Sequence, residues 1–168
     1  MTRGSVTIRR SLVEDTGMKL LLDGMLGRLA KWLRILGYDA AYFPDLDDNQ
    51  LVRLARAEGR ILLTRDKELA RRRGLDCLFV ESDGLESQIK QVVTALPLEA
   101  KRPFSRCPVC NTPLQRVEKS SVKERVPPFI FRTQNHFSLC PQCDRIYWQG
   151  THWANMRNEL VRIINSSQ

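Results

Sequence analysis

"MKLLLDGMLGRLAKWLRILGYDAAYF" (residues 18–43) decides the fold. Its first six residues, closed by Asp23, form an almost continuous apolar run of the kind that fills a strand buried on both faces. Leu26, Leu29, Ala30, Leu33 and Leu36 then recur at helical spacing, and Gly37 stands where a helix ends in the left-handed conformation. Residues 39–43 return to strand character. One strand, one amphipathic helix and a second strand make the unit from which parallel sheets are built.

The pattern repeats downstream. "DNQLVRLARAEG" (48–59) reads as a helix with Leu51, Leu54 and Ala55 inward, "ILLT" (61–64) as a buried strand, and "DKELARRRG" (66–74) as a short helix. "CLFV" (77–80) is a fourth strand and "GLESQIKQVVTAL" (84–96) a fourth helix. Right-handed crossovers put the C-terminal ends of all such strands on one edge of the sheet, where open α/β sheets bind their ligands. The expected fold class is therefore α/β, a parallel sheet flanked by helices over residues 18–100.

Residues 1–17 read as an N-terminal tail without the apolar core of a secretion signal, and Met18 is a possible alternative start. With no apolar run of eighteen or more residues, the expected location is the cytoplasm. "PLEAKRP" (97–103) reads as a linker. Beyond it the strand–helix rhythm stops and cysteines, prolines and aromatics take over, so 101–168 is expected to be a second, small domain with a C-terminal helix. Charge divides at the same point. Residues 18–100 hold 13 basic and 13 acidic side chains, whereas 101–168 hold 11 and 4. The excess favours a polyanion, nucleic acid first and an acidic protein second.

Asp23, Asp48 and Asp66 fall near strand ends on that shared edge. Like charges gather only where a cation offsets them, and short carboxylates suit magnesium or manganese. Each residue also has an ordinary role. Asp48 and Asp66 precede helices and would serve as N-caps, and Asp23 as a turn residue. Arg65, Lys67 and Arg71–Arg73 surround Asp66, either as phosphate partners or as a solvated helix end. Arg28, Lys31 and Arg34 repeat every three residues on the first helix, which describes a wet face more often than a nucleic-acid track, although Arg28 lies one turn from Asp23.

Cys107, Cys110, Cys140 and Cys143 form two "CP-x-C" pairs, followed by Asn111 and Asp144. The doubled pattern argues for a structural four-thiolate zinc site in a zinc ribbon, against disulfides or a redox pair. Four thiolates on one zinc leave a formal charge of about −2, so the ribbon is less positive than its residue count suggests. Cys77 reads as a buried apolar residue. His136 and His152 are not needed as ligands. Phe129, Phe131, Phe137, Tyr147, Trp148 and Trp153 would stack bases or, for the most part, fill so small a core.

The strings D-x-x-L-G-x-L-A-x-W-L-R-x-L-G-Y-D (23–39) and L-L-T-R-D (62–66) resemble the PIN-like ribonucleases, and within them the Mut-seven C-terminal RNase domain group, in which a PIN-like domain precedes a zinc ribbon. "YWQGTHW" (147–153) is similar to that group's ending. The resemblance covers residues 18–153. It implies metal-dependent cleavage of RNA, with Asp23, Asp48 and Asp66 holding magnesium or manganese and the ribbon binding or orienting RNA. The fourth acidic position of such sites has only Asp83 as a candidate. Arg28, Arg65 and Lys67 are the expected substrate contacts. The rival expectation is a module without catalysis that binds RNA or, through the ribbon, a protein.

Overall fold

A computed structural model describes residues 6–7, 17–97 and 102–166. The remainder of the tail and residues 98–101 of the expected linker lie outside the described residues. The first half forms β2 (Lys19–Leu22), a short 3-10 turn (Gly24–Leu26), α1 (Gly27–Leu36), β3 (Asp39–Tyr42), α2 (Asp48–Glu58), β4 (Ile61–Thr64), α3 (Lys67–Ala70), β5 (Cys77–Phe79) and α4 (Leu85–Ala95). These strands pair in parallel in the order β5-β4-β2-β3. A two-residue strand β1 (Val6–Thr7), inside the stretch read as a tail, adds antiparallel to β5. The expected helix over 66–74 closes after one turn, with Arg71 as its C-cap.

Alternation along the strands assigns each side chain to a face. Leu20, Leu22, Leu63, Leu78 and Val80 belong to one core with Leu29 and Leu33 of α1 and Ile89 and Val92 of α4. Leu21, Leu62 and Cys77 point the other way and join Leu51, Val52 and Ala55 of α2 and Leu69 of α3. Helices therefore cover both faces, which is why these strands read as unbroken apolar runs.

The second half is an antiparallel sheet, β6 (Gln115–Val117), β7 (Phe137–Leu139) and β8 (Ile146–Trp148), with α5 (Pro128–Thr133) inserted between β6 and β7. Its own core is small: Val122, Val126 and Phe137 are buried, packed by Val117, Ile130, Phe131, Ile146 and Trp148. Helix α6 (Thr151–Asn165) then returns to the first half, where Leu160 and Ile163 join the larger core. Gly37 ends α1 at φ +100°, and a Cβ there would stand 2.6 Å from the Arg102 carbonyl oxygen, so the incoming chain after the linker lies directly on that turn. No helix among the described residues is long and apolar enough to cross a membrane.

Candidate active site and metal centre

Along the chain, β2 is the first strand of the parallel set. β3 adds on one side of it and β4 on the other. α1 leaves β2 over one face, and α3 leaves β4 over the opposite face. The chain therefore diverges between β2 and β4, and beyond the C-terminal ends of such a strand pair lies the crevice in which open α/β sheets generally bind ligands. Asp23 and Asp66 follow these two strands. Asp48 begins the helix after β3, and Asp83 follows β5.

Asp23 is 6% exposed. Its amide donates to the Leu63 carbonyl across the strand gap (3.2 Å), which extends the β2–β4 pairing by one residue. Its Oδ1 accepts from the Met25 amide at 3.0 Å, and its Oδ2 accepts from the Thr64 hydroxyl and, at 3.4 Å, from the Arg65 amide. The Thr64 hydroxyl in turn accepts from the Asp66 amide at 3.0 Å. A single buried hydroxyl thus ties the loop carrying Asp23 to the loop carrying Asp66. Asp66 caps α3 through Oδ1, which accepts from Glu68 (2.7 Å) and Leu69 (3.1 Å), while Oδ2 takes no part in the cap.

Asp48 is not a cap. That role belongs to Asp47, whose side chain accepts from the Gln50 amide while the Gln50 side chain accepts from the Asp47 amide. A pair of adjacent aspartates leaves the cap position ambiguous by one residue from sequence alone. Asp48 Oδ2 instead lies 4.0 Å from Arg72 Nη2, a residue that also donates to Asn49 at 2.6 Å. Asp23, Asp48 and Asp66 occupy one edge without forming a tight carboxylate group. Among the described residues, the one set of three or more candidate ligands whose donor atoms all lie within 4.8 Å of one another is the cysteine cluster.

Of the expected phosphate contacts, Arg28 is exposed in the first turn of α1 and Lys67 is exposed at the start of α3. Arg65 is half-buried and ion-paired with Asp83, and its Nε is buried with no hydrogen-bond partner. Cys77 lies on β5 beneath this edge. Burial, and then the Asp23 charge, push its thiol up to about 11.

The cysteines are free and converge. Cys107 and Cys143 sulfurs stand 3.6 Å apart and Cys110 and Cys140 sulfurs 3.2 Å apart, too far for disulfides. Four sulfurs bound tetrahedrally to one zinc stand about 3.8 Å apart, so the donor set fits a structural metal such as zinc. The two turns repeat each other. Asn111 donates to the Cys107 carbonyl and Asp144 to the Cys140 carbonyl, both at 2.9 Å, and both residues have positive φ, 68° and 59°. Asn and Asp tolerate that conformation better than other side chains do, which explains their place after each pair. Tyr147 adds a hydroxyl 3.0 Å from the Cys107 sulfur. His136 meets Arg116 and His152 is exposed, so neither joins the cluster.

Arg34 departs most from its expected place on a wet face. It is 7% exposed, and it donates through Nε to the Ala40 carbonyl (2.8 Å) and through Nη1 to the Pro108 (3.1 Å) and Val109 (2.9 Å) carbonyls of the first cysteine turn. Burial lowers its pKa, while the charges of Cys107, Cys110 and Asp39 act in the opposite direction. Asn111 completes the junction, accepting from the Ala40 amide at 3.0 Å and donating to Asp39 at 2.7 Å. The only sequence signal for these contacts was that Asn111 follows a cysteine pair. Nothing in the helical spacing of Arg34 separated it from Arg28 and Lys31.

A family model described as the Mut7-C RNAse domain matches residues 18–160. No curated protein and no solved structure matches the chain.

Proposed function

Since the chain belongs to the Mut7-C RNAse domain family, we propose that it is a metal-dependent ribonuclease whose centre lies at the edge where β2 and β4 diverge. The observation that carries this reading is the Thr64 hydroxyl, which joins the Asp23 carboxylate and the Asp66 loop at the crevice between two adjacent parallel strands. The donors are hard oxygens, as magnesium or manganese requires, and Asp23 is fixed in place by three hydrogen-bond donors. Asp23 and Asp66, with Asp48 from α2, would hold the ion. Bound there, a divalent cation supplies charge neutralisation and Lewis acidity to a phosphodiester.

The protein's own groups supply position. Lys67 and Arg28 are free to take phosphate oxygens on either side of the crevice. Arg65 reaches the same edge once Asp83 releases it, and its unpartnered Nε gains an acceptor in doing so. The basic ribbon would then orient the RNA along the edge.

A second reading, an RNA-binding or protein-binding module without catalysis, draws on the wider spacing of the aspartates and the Asp48–Arg72 pair. The test is cleavage of end-labelled single-stranded RNA by the zinc-loaded protein with manganese and with chelator. Asp23→Asn and Asp66→Asn are each expected to abolish manganese-dependent cleavage. Cleavage that survives either substitution refutes the site. RNA binding without cleavage in the unsubstituted protein favours the second reading.

A further inference from the structure

Two of the largest exposed apolar side chains flank the proposed centre. Met25 is 72% exposed, two residues after Asp23, and Phe43 is 47% exposed, immediately after β3. Their loops are fastened together. Tyr42 donates its hydroxyl to the Gly24 carbonyl at 3.0 Å, and a Cβ on Gly24 would stand 3.2 Å from the Pro44 carbonyl oxygen. Gly24 is small because the 43–45 loop runs over it. Neither Met25 nor Phe43 belongs to a hydrophobic core cluster among the described residues. The fold therefore holds a thioether and a phenyl ring in water, on two joined loops of which one carries the buried Asp23 carboxylate.

We propose that Met25 and Phe43 form a stacking lip for one unpaired nucleobase of the RNA, adjacent to the phosphate that is cut. The proposal rests on the ribonuclease reading and names its substrate class: single-stranded RNA, or RNA with a base turned out of its helix. Charge decides which part of a nucleotide belongs there. Asp45 and Asp47, outside the proposed ion ligands, follow Phe43, so a phosphate would be repelled from this side. The exposed cations Arg28 and Lys67 lie at the starts of α1 and α3. A nucleotide held with its phosphate toward them presents a neutral base to the lip. Every base has a π-face, and aromatic rings and thioethers both pack well against one. In a paired helix those faces are covered, which excludes intact duplex.

The test is binding of the zinc-loaded full chain to a fluorescent single-stranded RNA of about ten nucleotides, with calcium replacing manganese to hold back cleavage. Abasic nucleotides are placed at each position in turn. An abasic residue at one or two neighbouring positions is expected to weaken binding on the order of tenfold. Phe43→Ala is expected to weaken binding to intact RNA by a similar factor and to erase the penalty of the abasic nucleotide, and Met25→Ala to do so in part. Phe43→Trp is expected to restore both. If Phe43→Ala weakens intact and abasic RNA equally, or changes neither, the lip is overturned while the ribonuclease reading stands. If the unsubstituted protein binds no RNA, the ribonuclease reading falls and the lip with it.

Discussion

Arg34→Met should uncouple the cysteine half from the α/β sheet. Methionine keeps the apolar stem of the side chain and removes the guanidinium, which donates to the carbonyls of Ala40, Pro108 and Val109. The buried Ala40 carbonyl left without its donor costs about 1–3 kcal/mol, and the part-buried Pro108 and Val109 carbonyls cost less because water reaches them. The buried cation's own desolvation cost disappears at the same time, which offsets part of the loss. A net cost of about 2 kcal/mol follows. Two of the three acceptors lie between Cys107 and Cys110, so the cost falls on the conformation that gathers those sulfurs. At about 1.4 kcal/mol per factor of ten, the apparent zinc affinity should fall on the order of tenfold. Zinc transfer to a chromophoric chelator measures this, and urea unfolding of the metal-loaded protein measures the stability. Arg34→Lys keeps the charge but cannot fork to three carbonyls, so it should fall between the two. If Arg34→Met retains zinc as tightly as the parent and unfolds at the same urea concentration, the proposed junction contributes nothing and the reasoning fails.

Three further outcomes follow from individual residues. Asp47→Ala should cost about 1 kcal/mol in thermal or urea unfolding by removing the side-chain acceptor for the Gln50 amide, with RNA cleavage unchanged, whereas Asp48→Ala should show the reverse, loss of cleavage at nearly parental stability. Gly37→Ala should destabilise by about 2 kcal/mol or more, read from urea unfolding, because it adds a methyl at φ +100° against the Arg102 carbonyl. Cys77 has an unfolded pKa of about 8.5 and a folded value raised to about 11. Its contribution is intact below the lower value. It is lost as pH rises between the two, because the unfolded chain releases the proton first. Relative to Cys77→Ala, the parent should therefore lose on the order of 1–2 kcal/mol between pH 8 and pH 10. A pH-independent difference would show that the buried thiol does not govern it.

What the sequence disclosed, and what it withheld, follows from the range of the forces involved. Strand and helix positions from Met18 to Ala95 were legible because burial on both faces of a sheet writes itself as local periodicity. The cysteine cluster was legible because metal ligation needs particular residue types at short, repeated spacing. The burial of Arg34 was not legible because two of its three partners lie more than seventy residues away, and a cation on a helix has the same local signature whether water or a carbonyl receives it. The cap expected at Asp48 falls on Asp47, since a shift of one residue leaves the sequence pattern intact. β1 escaped notice because two residues carry no period at all. Thr64 was unremarkable in sequence, yet its hydroxyl is the contact that brings the two aspartate loops together.

The junction around Arg34 also answers a problem posed by the sheet itself. β3 is an edge strand, and an unpaired edge presents amides and carbonyls that invite another strand. Here the Ala40 amide donates to Asn111 and the Ala40 carbonyl accepts from Arg34, so one residue of the cysteine turn and one of α1 stand in for a neighbouring strand. Asp39 joins them. Burial would raise its carboxyl pKa, but hydrogen bonds from Arg60 and Asn111 bring it below the ordinary value, so it stays ionised beside Arg60 and Arg106. The cysteine half is held at a second place by α6, whose Leu160 and Ile163 are buried in the core shared with α1 and α4. These attachments differ in kind. The α6 contact is apolar and indifferent to metal, whereas the Asn111 and Arg34 contacts depend on the turn that the Cys107–Cys110 pair closes. Loss of zinc should therefore free the β3 edge while the chain's end stays docked, exposing a strand edge on a protein that is otherwise folded.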